Sequence, residues 1–180
     1  MAMKLPVFVS TPKSYLQAQE DFLTDVERSL SDRGLEPVTL GRSEYDINAP
    51  LEAVRRLMNA CCGLICIGLR RTYLADGTDR PASDIGEAAK SRNGTWLSSP
   101  YCQIEPAMAY QIGLPILLWR EKGVIDDGIF DRGAVGLSMP EFDLSKPPNL
   151  TDQPWKQPLD LWADDVRSVH RKRGNALKLW

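Results

Sequence analysis

Apolar residues recur along this chain in two alternating patterns. Residues 5–10, 35–40, 64–69 and 114–119 are short, nearly continuous apolar runs rich in Val, Ile, Leu and Phe, which predict strands buried on both faces. Between them the apolar positions fall at three- and four-residue spacing, which predicts helices. Ser14 is placed to cap a helix that carries Tyr15, Phe22, Val26 and Leu30 on one stripe and ends at Gly34. A second helix opens at Asn48 or Ala49-Pro50, turns Leu51, Val54, Leu57, Met58 and Cys61 inward, and stops at Gly63. A third covers residues 101–112, ending at Gly113. A weaker fifth strand falls at 134–137. A Pro-rich linker at 146–158 leads to a last helix with Leu159, Trp162, Val166 and Val169 in register.

Strand and helix alternate throughout, so the expected fold class is α/β: a flavodoxin-like three-layer sandwich around a central parallel sheet of about five strands. Residues 70–98 break the pattern. They are polar and Gly-containing, with a short helical piece at 84–90, and form a candidate insertion or lid. The expected organisation is one α/β domain over 1–145, with 146–180 as linker and C-terminal helix packed on it.

Composition narrows the function classes. With 43% hydrophobic and 26% charged residues the chain is an ordinary soluble globular protein. A net charge of −2 argues against a nucleic-acid partner, which needs a basic footprint. The basic run Arg171-Lys172-Arg173 reads as a solvated helix end. The apolar stretches are too short for a signal peptide or a membrane span, so a cytoplasmic location without membrane contact is expected. The four cysteines, Cys61, Cys62, Cys66 and Cys102, lie in or beside core elements and read as reduced thiols. With His170 as the sole histidine, neither a metal site nor a Ser-His-Asp triad is expected. Nucleotide signatures of the P-loop and G-x-G-x-x-G kinds are missing.

What remains is carboxylate chemistry centred on Glu105. On a helix it shares a face with Tyr101, Cys102, Met108, Ala109 and Ile112, all uncharged. Such surroundings raise the pKa of an acid unless a hydrogen bond or cation opposes this. Pro106 either kinks the helix beside Glu105 or starts it there. Two readings of Glu105 stand side by side: a catalytic acid, or a structural one paired with Arg42 or Arg120.

The run Ser99-x-Tyr101-Cys102-x-x-Glu105 resembles the S-x-W-C-x-x-E box of TIR domains, with Tyr101 in the tryptophan position. Phe8-Val9-Ser10 looks like the first-strand F-[IV]-S motif, and the loop from Arg42 to Pro50 falls where the second-strand loop is expected. The resemblance covers roughly residues 5–144. Thr11, Pro106 and the 70–98 segment depart from the family pattern. The stretch 113–121 and the general layout are also similar to nucleoside 2-deoxyribosyltransferase-like proteins, which carry a catalytic glutamate on the same plan.

This resemblance implies cleavage of an N-glycosidic bond, with Glu105 as the catalytic carboxylate. It implies Ser10, Thr11, Arg42, Tyr45, Ser99 and Tyr101 as substrate-binding residues and NAD as a substrate, with no cofactor. Tyr101 either lines the pocket or packs in the core, and Ser10 and Thr11 either contact ribose or phosphate or cap a turn. Trp96 either anchors the insertion or touches substrate. Asp46 and Asn48 shape the second loop and cap the helix after it. NAD releases neutral nicotinamide from a cationic ring and so needs no proton donor, whereas a neutral nucleoside calls for a second acid. Asp84, Glu87, Asp126 and Asp127 are the speculative second acids. The implied activity is that of an NAD hydrolase or cyclase yielding ADP-ribose or a cyclic ADP-ribose signal, as in bacterial antiphage defence. The implied partners are a separate sensor or effector and self-association through TIR-like surfaces. Alternatives are a nucleoside or nucleotide N-glycosidase or 2-deoxyribosyltransferase, and a non-catalytic TIR-like interaction module.

Overall fold

The computed structural model describes residues 4–40, 50–131, 134 and 140–173. In chain order the elements are β1 Leu5–Ser10, α1 Gln17–Asp32, β2 Leu35–Val38, α2 Pro50–Ala60 and β3 Leu64–Gly68. Then come β4 Thr72–Leu74, β5 Thr78–Asp79, β6 Lys90–Ser91 and β7 Thr95–Leu97. The chain continues with α3 Tyr101–Gln111, β8 Ile116–Glu121, a 3₁₀ turn Gly128–Phe130, β9 Glu141–Phe142 and α4 Gln153–Arg173. Five strands form one parallel sheet in the order β2-β1-β3-β8-β9. This is the flavodoxin-like α/β fold expected from the alternation of apolar runs and helical stripes.

Side-chain alternation in each strand feeds two cores. Val7, Val9, Ile65, Ile67, Leu117 and Trp119 face α1 and α4, meeting Phe22, Val26 and Leu30 on one and Leu159, Trp162 and Val166 on the other. Phe8, Leu64, Cys66, Ile116 and Leu118 face Val54 and Met58 of α2, Cys102 and Ala109 of α3, and Phe130. The chain leaves β1 for β2 on one side and reaches β3 on the other. The switch point of the topology therefore lies between the carboxyl ends of β1 and β3, where such sheets open a crevice.

Several local expectations are corrected. Ser14 does not cap α1: the helix begins at Gln17 after Leu16 in extended conformation. The Ser14 hydroxyl instead hydrogen-bonds the Glu20 carboxylate, and the amide of Tyr15 donates to Gln19 Oε1 at 3.2 Å. Tyr15 is consequently exposed. Residues 84–90 form no helix. Arg80 and Ala82 take positive φ, and the Ser83 hydroxyl accepts from the amides of Ile85 and Glu87. The 70–98 segment is instead a β arm in which β4 pairs with β7 and β5 with β6, both antiparallel. The fifth strand of the sheet is Glu141–Phe142, and residues 135–137 of the expected strand lie outside the described residues. The linker is shorter than expected. Helix α4 starts at Gln153, with Pro154 tolerated in its first turn, and runs through Pro158.

The arm is stitched to the sheet at its base. Trp96 donates its amide to the Gly123 carbonyl at 2.9 Å and accepts from the amide of Ile125 at 2.9 Å. Its ring lies 4.9 Å from that of Tyr73 and 5.8 Å from the Arg70 guanidinium. The buried Glu121 carboxylate accepts from the Arg70 amide at 2.7 Å, and Gln19 Nε2 donates to the Arg70 carbonyl at 2.9 Å. Trp96 thus takes the anchoring place among its two readings.

At the end of β3, Gly68 lets the Phe130 ring lie on the sheet: a Cβ there would stand 2.5 Å from Cζ of Phe130. The ring is fully buried and has no room to retreat. Gly68→Ala is expected to destabilise the fold by about 1–3 kcal/mol through overpacking, read as a lower urea midpoint with an unchanged slope. Among the described residues no helix is long and apolar enough to cross a membrane.

Candidate active site

Helix α3 is started by Pro100, whose backbone is already helical, with the Cys102 amide donating to the Ser99 carbonyl at 3.0 Å. Its inward residues are Cys102, Glu105, Pro106 and Ala109. Tyr101 and Ile112, expected on that face, are 39% and 47% exposed. The face that Glu105 shares is narrower than a three-four spacing suggests, and Tyr101 stands outside it. The helix is continuous across Pro106, so a start at that residue is ruled out. The proline still has its effect. It has no N–H for the carbonyl of Cys102, and that carbonyl accepts instead from the Cys66 thiol of β3 at 3.6 Å.

Glu105 is 7% exposed. Arg120 does not reach it: that guanidinium is bound to Glu141 of β9, its register partner in the parallel ladder. Arg42 lies outside the described residues, and among those described no cation is paired with Glu105. Burial therefore pushes its carboxyl up to about 7, against a partial opposing effect of the Ser10 hydroxyl. Cys66 is fully buried, and desolvation holds its thiol well above the usual range, so it stays a neutral donor. Ser10 pairs in register with Cys66. The switch point between β1 and β3 thus brings together Ser10, Cys66, Cys102 and Glu105.

The other expected site residues are spread around this point. Thr11 lines a cleft of about 230 Å³ with Lys13, Ser14, Glu20, Thr39 and Leu40, and its hydroxyl donates to the Pro12 carbonyl at 3.3 Å. Ser99 lies at the start of α3, its hydroxyl accepting from the Tyr101 amide at 3.3 Å. It lines a second cleft of about 290 Å³ with Ser98, Gln103, Val124, Asp127 and Phe130. Neither cleft has Glu105 in its lining. Arg42, Tyr45, Asp46 and Asn48 lie outside the described residues. The second acids are not assembled. Glu87 pairs with Arg80 on the exposed arm, Asp84 and Asp126 are exposed, and the Asp127 carboxylate caps the 3₁₀ turn through the Gly128 amide at 2.8 Å. Among the described residues no group of three or more His, Cys, Asp and Glu could hold a metal ion.

Two residues escaped the sequence reading. Cys66 looked like one more apolar position in a strand, and strand register alone brings it to Ser10. Gln103 looked like a polar surface residue of α3. Its amide donates to the Asp127 carbonyl at 3.1 Å and accepts from the Ile129 amide at 2.7 Å, fixing the 3₁₀ turn beside the site.

No family model matches the chain, and no curated protein matches it. Among solved structures it is similar to the flavodiiron core Flv1 of Synechocystis, with TM-score 0.52 and 11% identity over 95% of this chain. The chain spans 37% of that protein. It is also similar to a CMP N-glycosidase of Clostridium botulinum, with TM-score 0.48 and 15% identity over 87% of this chain and 98% of that one. The TIR domains of the activated Roq1 resistosome follow, with TM-score 0.43 and 12% identity over 98% of this chain and 89% of that one. At these identities the likeness is one of fold: the chain has a flavodoxin-like α/β architecture, and its neighbours on that fold include a TIR domain and an N-glycosidase.

Proposed function

We propose that this protein cleaves the N-glycosidic bond of a nucleotide, with Glu105 as the catalytic carboxylate and NAD as the favoured substrate. The observation that supports this reading is the placement of Glu105: a buried acid at the topological switch point, with no cation paired to it among the described residues. In the ionised form it stabilises the oxocarbenium-like ribose as the pyridinium base departs. Nicotinamide leaves neutral, so one carboxylate suffices. Water or an atom of the same nucleotide then takes the open carbon, giving ADP-ribose or a cyclic product. The reading extends to a cytoplasmic signalling role in antiphage defence with a separate sensor or effector.

The near-neutral acidity of Glu105 favours a second reading. At pH 7 about half the molecules hold a protonated carboxyl, which is a competent proton donor to a neutral base. A nucleoside or nucleotide such as a pyrimidine monophosphate then becomes the substrate. Incubation of the purified protein with NAD and with a panel of nucleosides and nucleotides, followed by chromatography of the released bases, separates the two. Nicotinamide release that disappears in Glu105→Gln is the expected result. Free base from nucleotides alone moves the assignment to the second reading, and release that persists in Glu105→Gln removes Glu105 from the chemistry. The assay is run at high protein concentration as well, because the proposed reading includes self-association.

A further inference from the structure

Strand β1 ends on a hydroxyl that has lost its natural donor. Ser10 is 1% exposed, and its Oγ makes no well-formed hydrogen bond, although buried hydroxyls are as a rule paired. Its neighbour across the ladder is Cys66, whose thiol is turned away to the Cys102 carbonyl. Pro106 has no N–H to offer that carbonyl, which leaves it open to the thiol. The Ser10 hydroxyl is thus left facing the Cys66 and Cys102 thiols and the Glu105 carboxyl, with no well-formed bond to any of them.

We infer that Ser10 is the positioning residue of Glu105: its hydroxyl donates to one carboxylate oxygen and leaves the other free for the crevice between β1 and β3. The catalytic meaning of this contact rests on the proposed function; the contact itself does not. Few other groups compete for the carboxylate. Cys66 of β3, Cys102 of the same helix and Cys61 just after α2 are the titratable groups in this core. Elsewhere α2 contributes Val54 and Met58, β8 contributes Leu118, and the 3₁₀ turn contributes Phe130. Arg120 of β8 is bound by Glu141, and the charged residues of α2, Glu52, Arg55 and Arg56, are exposed. The Ser10 hydroxyl pulls the pKa of Glu105 down against the upward push of burial.

The test uses native protein, Ser10→Ala and Ser10→Thr, each also combined with Glu105→Gln. The difference in unfolding stability between each chain and its Gln counterpart, followed against pH, reads the titration of Glu105 without any substrate. Ser10→Ala is expected to raise its midpoint by about one unit, the worth of one hydrogen bond to a charged group. Ser10→Thr, which keeps the hydroxyl, leaves it in place. An unmoved midpoint in Ser10→Ala overturns the inference. In turnover at pH 7, Ser10→Ala loses roughly fivefold in kcat, as the ionised fraction falls, and regains it near pH 9 with KM unchanged. A raised KM with an unmoved pH profile overturns it in favour of a substrate contact. A shifted midpoint in a protein that cleaves none of the nucleotides supports the contact while refuting the proposed function.

Discussion

Glu105→Gln is expected to lower turnover by about 10²–10³-fold and, at pH 8, to make the protein more stable. The two effects share one cause. The carboxyl titrates at about 7 in the fold, against 4.5 for an ordinary glutamate, because burial penalises its charge. Between those values the folded chain holds a proton that the unfolded chain has released. Stability is therefore complete below pH 4.5, falls as the pH rises towards 7, and stays low above it. At about 1.4 kcal/mol per unit, the ionised acid costs on the order of 3 kcal/mol at pH 8. The amide of Gln is the same size and uncharged, so the variant recovers most of that and loses the slope between pH 4.5 and 7. Its turnover falls by about 10²–10³-fold, the usual loss when one preorganised charge is removed from a transition state. Urea unfolding of both proteins from pH 4 to 8.5 is the measurement. Curves that converge at pH 4 and separate by pH 8 are expected. Parallel curves would show that an opposing charge already neutralises Glu105, which would return it to a structural ion pair.

The burial of this acid was readable in the sequence in outline. An uncharged helix face with one acid, set between apolar strands, placed Glu105 correctly because burial follows from period and composition alone. The strands β1, β3 and β8 were readable for the same reason, being apolar on both faces. What could not be read depends on contacts between distant segments. The Ser10–Cys66 pair is a matter of strand register, and the Arg120–Glu141 pair joins β8 to a two-residue strand too short to leave a pattern. The arm over 70–98 is built from strands of two and three residues, below the length at which alternation is detectable. Tyr101 lies one turn before Glu105, and the 40° that four residues overshoot a full turn is enough to carry it outward. Ser14 was a sound cap by type, but the Glu20 carboxylate engages its hydroxyl and the helix starts three residues later.

The largest loss of stability is expected from Trp162→Ala, on the opposite face and at the opposite end of the sheet from Glu105. Trp162 is 1% exposed and projects from α4 onto the segments that lead into β3 and β8. Its indole Nε1 donates to the Pro115 carbonyl at 3.0 Å, just before β8. Its ring lies on Gly63, just before β3: a Cβ there would stand 3.2 Å from Cζ2 of Trp162 and 2.5 Å from Cγ2 of Val166. Removing the ring leaves a cavity between helix and sheet and takes one of two donors from the Pro115 carbonyl, which also accepts from the Leu64 amide. Truncations of this kind cost about 3–5 kcal/mol, a large share of the 5–15 kcal/mol typical of a whole domain. Trp162→Phe keeps most of the apolar volume and loses only the indole hydrogen bond, at about 0.5–1.5 kcal/mol, because the Pro115 carbonyl still accepts from the Leu64 amide at 2.9 Å. Urea unfolding should rank native above Trp162→Phe above Trp162→Ala, with a common slope. Trp162→Phe should retain native turnover at 25 °C, because the ring touches the amino ends of β3 and β8 while Glu105 lies at the carboxyl ends. A loss below about 1 kcal/mol for Trp162→Ala would mean that α4 unfolds apart from the sheet, as a separate unit of low stability. The close seating of Trp162 on Gly63 argues for the larger value, because the glycine leaves room for the indole to pack directly on the backbone.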